Sequence, residues 1–335
     1  MSQHPPKLAL ELERLVFENS ATKRSDIPKL MLVAHRVHDW LEPVLYQVVL
    51  IDLGRRGSGI PSHIDAKTPA FLEKAVRHIS VGGDVSEMPK KTDVKKLQNF
   101  LNKRKNITNL LLQDKTAHPD LLPVLARMPL QRLGVKLGPL FGDPDAEEEN
   151  DWVDRPVSLV DLTHPLFTAL THLYVSDYLE WENTDADAVE WLRDISKLPA
   201  LTHFGMAFPP SQEIVKRILE TCPLLRVLMI TFDETDEMGP SAYGQTLFEF
   251  HGITDRRVVL ASYANFAKDW EVGARGGQDL WDKAEAFLEK EKRKEKKRAK
   301  KQRQKGRRKQ NSDEETYMDF TVCLQHNPAD LEQFL

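Results

Sequence analysis

Leu170-Thr171-His172-Leu173-Tyr174-Val175 is the stretch on which the fold of this chain turns. Leu173 and Val175 are two residues apart, so in an extended segment both face one side. Leu170 stands just ahead of them and is placed to plug the turn into the strand. The same apolar-x-x-apolar-x-apolar hexad recurs to either side. The other copies are Val76-x-x-Ile79-x-Val81, Ile107-x-x-Leu110-x-Leu112, Leu130-x-x-Leu133-x-Val135, Leu201-x-x-Phe204-x-Met206 and Leu225-x-x-Leu228-x-Ile230. Their first residues are spaced by 31, 23, 40, 31 and 24 positions, with Leu170 as the fourth in order.

Amphipathic runs lie between the hexads. Val94, Leu97 and Leu101 form one. Val189, Leu192 and Ile195 follow a Thr184-x-x-Asp187 capping signal. Ile214, Val215, Ile218 and Leu219 end at Cys222-Pro223, a stop directly ahead of the next hexad. Strand, loop and helix in repetition predict an α/β chain built as an irregular leucine-rich-repeat solenoid. The alternative is an ordinary α/β domain with coincidental hexads. Val258-Val259-Leu260 reads as a last strand. Trp270 to Gly277 reads as a loop, and Leu280, Trp281, Ala284, Phe287 and Leu288 as a helical stripe leading into a basic helix.

The first ~50 residues read as helices. Leu8, Leu12, Leu15 and Val16 recur at helical spacing. Ser25-Asp26-Ile27-Pro28 is a start signal, and Leu30, Val33, Val37, Trp40 and Leu41 continue it as one helix that Pro43 stops or kinks. Gly54-Arg55-Arg56-Gly57-Ser58-Gly59 is a flexible break. The expected division is therefore a helical domain at 1–53, a repeat domain at 54–265, a loop and basic helix at 266–309, and an acidic flexible tail at 310–335.

Charge follows this division. The 335 residues carry 47 Lys and Arg against 51 Asp and Glu, a formal charge of −4. Residues 289–309 hold 14 Lys and Arg against three Glu, a net of +11, so the rest of the chain carries −15. Seven acidic residues fall within 143–154, which reads as a solvated insertion. Two cysteines make no disulfide framework and point to a reducing compartment. Charged residues interrupt the first 20 positions, and no apolar run approaches the length of a membrane span. The expected location is the cytoplasm, the nucleus or both, with no membrane partner.

Leu8-Ala9-Leu10-Glu11-Leu12-Glu13-Arg14-Leu15-Val16-Phe17 resembles the opening of an F-box. Ile27-Pro28-Lys29-Leu30-Met31-Leu32-Val33-Ala34-His35-Arg36-Val37 is similar to its second half, and Trp40, Pro43, Leu45 and Tyr46 to its end. Trp270-Glu271-Val272-Gly273-Ala274-Arg275-Gly276-Gly277 looks like the C-terminal part of the F-box proteins with irregular leucine-rich repeats that abound in mushroom-forming fungi. Ala9 stands where that family has proline, and Val37 where it has tryptophan. The resemblance implies a non-catalytic substrate receptor. Its F-box would dock on a Skp-family adaptor, and through it a cullin, while the repeats hold a protein substrate near the ubiquitin-loaded enzyme. The residues it assigns to adaptor contact are Leu8, Leu12, Val16, Phe17, Leu30, Val33 and Arg36. The other reading is a stand-alone repeat scaffold, with the same helices serving as an N-terminal cap.

The motifs of catalysis are missing from the sequence. There is no G-x-x-x-x-G-K-[ST], G-x-S-x-G, C-x-x-C or H-E-x-x-H. His35 and His38, three apart on one helix, are the nearest to a metal pair, and a polar helix face explains them better. No enzyme activity, cofactor or metal is expected. The basic run offers two short clusters, Lys296, Lys297, Arg298, Lys300 and Lys301, then Arg307, Arg308 and Lys309. They suit nuclear import or nonspecific contact with nucleic acid or another polyanion by counterion release. A solvated charged helix is the plain alternative.

Overall fold

Each of the six hexads ends in a strand of a single sheet. The computed structural model describes residues 8–21, 23–53, 59–83, 90–142, 160–177, 194–207, 212–234, 239–245, 247 and 252–323, with side chains to Gln304 in the last helix. The strands are β1 (Val48–Leu53), β2 (His78–Gly83), β3 (Asn109–Leu112), β4 (Arg132–Val135), β5 (His172–Val175), β6 (His203–Ala207), β7 (Val227–Asp233) and β8 (Val258–Tyr263). They lie side by side in sequence order, and every pair is parallel. The fold is α/β with a parallel sheet.

The hexads explain the register. Their fourth residues stack into one unbroken row, Val49–Ile79–Leu110–Leu133–Leu173–Phe204–Leu228–Val258, which β1 and β8 extend at its two ends. All eight are buried, as are the hexads' leading residues Val76, Ile107, Leu130, Leu170, Leu201 and Leu225. A slip of one residue would turn each strand's apolar set to the other face, so burial pins the register. The uneven repeat spacing is absorbed on the helical side. There lie α4 (Ser62–Asp65), α5 (Pro69–Ala75), α6 (Lys91–Asn102), α7 (Leu122–Leu125), α8 (Leu137–Phe141), α9 (Gln212–Thr221) and α10 (Pro240–Gln245). Val94, Leu97 and Leu101 of α6 and Ile214, Val215, Ile218 and Leu219 of α9 are buried as their spacing predicts. Residues 143–154 and 178–193, which include the acidic insertion and Val189 and Leu192, lie outside the described residues; Ile195 sits in a 3-10 turn.

The helical start differs from expectation in two ways. Instead of one helix from Ile27 there are two, α2 (Ile27–Met31) and α3 (His35–Tyr46), after α1 (Leu10–Ser20). Ala34, with extended φ and ψ of −161° and 154°, breaks them apart. Pro43 does not stop α3, which runs on to Tyr46; the proline forgoes only the one bond its N–H would make to the Asp39 carbonyl. Then only Gln47 separates α3 from β1. Val48–Leu53 belongs to the sheet, so the helices meet the sheet at Gln47 and the glycine-rich stretch follows the first strand. The junction is packed. Lys67 Nζ sits 2.6 Å from Glu42 Oε1 and over the Tyr46 and Phe71 rings, which meet edge to face at 5.4 Å.

The region after β8 also departs from the expected loop. Phe266–Ala274 is a helix, α11, because Asn265 Oδ1 accepts the Lys268 N–H at 2.8 Å and caps it. Of the glycines here, Gly273 lies within α11 and makes room for Asp279, and Gly276, at φ +83°, shapes the following turn. Next comes α12 (Leu280–Cys323), opened by a reciprocal pair: Asp282 N–H to Asp279 Oδ1 at 2.9 Å, and Asp279 N–H to Asp282 Oδ2 at 3.0 Å. It continues past residue 310, where a flexible tail was expected. The chain divides into two compact units, Met1–Ala284 and Glu285–Leu335, so α12 begins in the first and makes up the described part of the second.

The segment 266–281 packs on the sheet face opposite the helices. Phe266 stacks on Tyr174 at 4.1 Å, Trp270 Nε1 donates to Asn109 Oδ1 at 2.9 Å, and Arg132 Nη1 donates to Asp279 Oδ2 at 2.9 Å. Trp281 lies edge-on to His172 and His203. A Cβ at Gly205 would stand 2.8 Å from both the Trp281 and Tyr174 rings, which explains a residue without a side chain at that rung. Gly205→Val is therefore expected to cost about 2 kcal/mol by overpacking, read as a lower urea midpoint.

Candidate functional site

The helical unit at the start of the chain has a small core and an outer face far more apolar than a surface usually is. Ala21, Ile27, Val37 and Leu41 are buried at its centre, with Phe17, Leu30, Met31, Ala34, Trp40, Val44 and Leu45 packed around them. The first helix, α1, buries none of its residues fully. Leu8, Leu10, Leu12, Leu15 and Val16 stay 51–55% exposed, and at the α2–α3 corner Leu32 is 87% and Val33 62% exposed. Seven of the ten large exposed hydrophobics among the described residues thus fall between positions 8 and 33, a concentration that marks an interaction surface.

One ion pair joins α1 to α3. Arg36 at the start of α3 reaches Glu13 in the middle of α1 with two bonds, Nη2 to Oε1 at 2.6 Å and Nε to Oε2 at 3.1 Å. The fork-shaped contact ties the start of α3 to the middle of α1. The break between α2 and α3 matters here: a continuous helix would have carried Leu32 and Val33 on its shaft.

The seven residues marked from sequence separate into three groups. Leu8, Leu12, Val16 and Val33 are exposed and form part of the surface. Phe17 and Leu30 pack against the core beneath it and act as its support. Arg36 is engaged by Glu13. Three residues that sequence reasoning missed, Leu10, Leu15 and Leu32, belong with the exposed group. Leu15 shares the helical stripe of Leu8, Leu12 and Val16, whereas Leu10 falls off it and Leu32 lies at the corner between two helices, so spacing alone did not mark these three as a set. Val37 is fully buried and faces the core.

Among the basic residues, Lys296, Lys297, Arg298, Lys300 and Lys301 lie exposed on α12. Arg307, Arg308 and Lys309 are on the same helix, beyond its described side chains. His35 and His38 both approach the Asp39 carboxylate, at 3.1 and 3.6 Å. Among the described residues no group of three or more His, Cys, Asp or Glu is placed to hold a metal ion, and no helix is long and apolar enough to cross a membrane.

The sheet's outward face holds two further features. His172 and His203, paired across β5 and β6, stack with centroids 4.0 Å apart and planes 5° from parallel. Each Nδ1 lies 2.8 Å from the hydroxyl of the preceding threonine, Thr171 or Thr202. Burial first, then His203 and the charges of Arg132 and Arg226, pushes the His172 pKa down to about 2. The Leu-Thr-His triplet repeated at 170–172 and 201–203 is the sequence signal for this stack. Separately, a cavity of about 380 Å³ opens over β1 and β2 beside α11, bounded by Leu50, Asp52, Ser80, Gln113, Lys268 and Glu271. Its serine hydroxyl accepts a bond from the Gln113 amide at 2.8 Å, and Glu271 is bonded to Arg275. The buried Asp177 carboxylate accepts the Leu137 and Gly138 N–H groups at 2.6 and 2.7 Å, the role of a helix cap. Compared with known proteins, the chain matches no family model and no curated protein.

Proposed function

We propose that the chain is a non-catalytic substrate receptor of a cullin–RING ubiquitin ligase. In this reading residues 8–46 are an F-box-like unit that docks on a Skp-family adaptor, and the parallel sheet with its helices is an irregular leucine-rich-repeat solenoid that recruits a protein substrate. The observation that carries the proposal is the exposed apolar surface of α1 and the α2–α3 corner. A unit of this size is marginal alone and gains stability from a partner that covers such a surface. The direct passage from α3 through Gln47 into β1 suits a receptor, since it leaves no linker by which a bound substrate would swing.

Capture on immobilised, purified Skp-family adaptor tests this. Leu12 and Val16 are exposed, so Leu12→Asp and Val16→Asp should leave the fold intact. Each is expected to weaken capture at least about 30-fold, the scale of an interface hot spot. Asp93→Asn, on α6, should bind as wild type does. Equal capture of all four proteins, or of none, sinks the adaptor reading. It would leave the repeat scaffold, which the support role of Phe17 and Leu30 also accommodates.

A further inference from the structure

The described cationic side chains of the second unit are distributed in a way that selects a partner. Between Lys290 and Arg303 the chain has ten Lys and Arg residues, all on one uninterrupted helix. At 3.6 residues per turn they spread over roughly 240° of its circumference. The remaining sector carries Leu288, Glu291, Glu295, Ala299 and Gln302. Glu289 pairs locally with Lys292 at 3.5 Å and Glu291 with Lys294 at 2.6 Å. Lys296, Lys297, Arg298, Lys300 and Lys301 follow, all exposed.

We infer that this helix binds double-stranded B-form DNA by lying in the major groove, independently of base sequence. A helix of about 10–12 Å diameter fits a groove about 12 Å wide. In that position its flanks meet a phosphate wall on each side, which needs cations over far more than half the circumference. The sector facing out of the groove is the one that carries Glu291 and Glu295. The alternatives fit less well. A helix lying on a lipid surface needs an apolar face, and past Leu288 the cation-free sector offers only Ala299 among Glu291, Glu295 and Gln302. Single strands are held by aromatic platforms, and no aromatic residue occurs between Phe287 and Tyr317. Double-stranded RNA has a major groove too narrow to enter. Contacts to phosphate carry no base information, so binding is nonspecific.

The test is fluorescence anisotropy of the full-length protein with labelled 20-base-pair duplexes at 50 to 250 mM NaCl. Residues 290–303 span roughly 20 Å, enough to meet about five phosphates. The slope of log K against log salt is then about −4.5. Two unrelated DNA duplexes should bind within about threefold of each other, and the matching RNA duplex at least tenfold more weakly. A Lys296→Gln/Lys297→Gln/Lys300→Gln/Lys301→Gln protein, which keeps good helix formers, should show unchanged circular dichroism and at least tenfold weaker DNA binding. Any one of three results overturns the inference: no DNA binding at micromolar protein in 50 mM NaCl, equal binding by the variant, or equal affinity for the RNA duplex. Adaptor capture is unaffected by these substitutions, so the result is independent of the proposed ligase role.

Discussion

Replacing Trp281 by alanine is expected to lower the free energy of unfolding by about 3–4 kcal/mol, as aromatic-to-alanine changes at packed sites do. The indole lies 5.4 and 5.8 Å from the His172 and His203 ring centres, nearly perpendicular to both, and closes against Gly205. Its removal takes away a large apolar contact and two edge-to-face pairings, and it admits water to the stack. The neighbouring anchors, Arg132–Asp279 and Trp270–Asn109, would lose the packing that shields them. Urea unfolding followed by circular dichroism measures the loss. A change below about 1 kcal/mol would mean that the segment after β8 rests on the sheet without contributing to its stability. Trp281 lies in the first unit and far along the chain from α1, so capture by the adaptor should persist in the folded variant.

Stability should also fall as the solution is acidified from pH 7.5 to 5, by about 4 kcal/mol. Two imidazoles are responsible. Burial, with the charges of Arg132, Arg77 and Arg275, lowers His78 to about 4; His172 is lowered to about 2. In the unfolded chain both take up a proton near 6.5. Between 6.5 and the folded values the unfolded state binds more protons, so stability is full above about pH 6.5 and declines below it. At pH 5 each group accounts for about 2 kcal/mol, at 1.36 kcal/mol per unit of pKa difference. Urea titrations at pH 7.5, 6 and 5 measure the slope. A His78→Asn/His172→Asn protein should lose most of it, and an unchanged slope in that protein would assign acid sensitivity to other groups. Because Trp281→Ala hydrates the stack, it should raise the His172 pKa and flatten the same profile.

The sheet was legible because a strand's faces alternate with period two and each hexad states its inward pair. Six hexads marked six of the eight strands, Val258-Val259-Leu260 marked the last, and Val44 to Leu53 contained the first without declaring itself part of the sheet. Helix α1 was legible as a helix, but its orientation was not. Leucines at 8, 10, 12 and 15 cannot all face one side, and only the fold shows that all four stay about half exposed. The α2–α3 break was hidden because Val33 and Val37 sit at helical spacing whether or not the chain turns at Ala34.

By itself the sequence determined the local elements: which residues point into the sheet's core, where the chain is basic, and where amphipathic runs make helices. These are set by neighbours a few positions apart, through periodicity. Tertiary structure alone decided the pairings between distant segments. Asn109 meets Trp270, Arg132 meets Asp279, and His172 and His203 meet Trp281. It also decided that Arg36 would bond Glu13 and that the apolar residues of α1 and the α2–α3 corner would stay exposed. No periodicity links residues 147 apart; they come together because a parallel sheet in sequence order has a second face, and the segment after its last strand folds back to cover it.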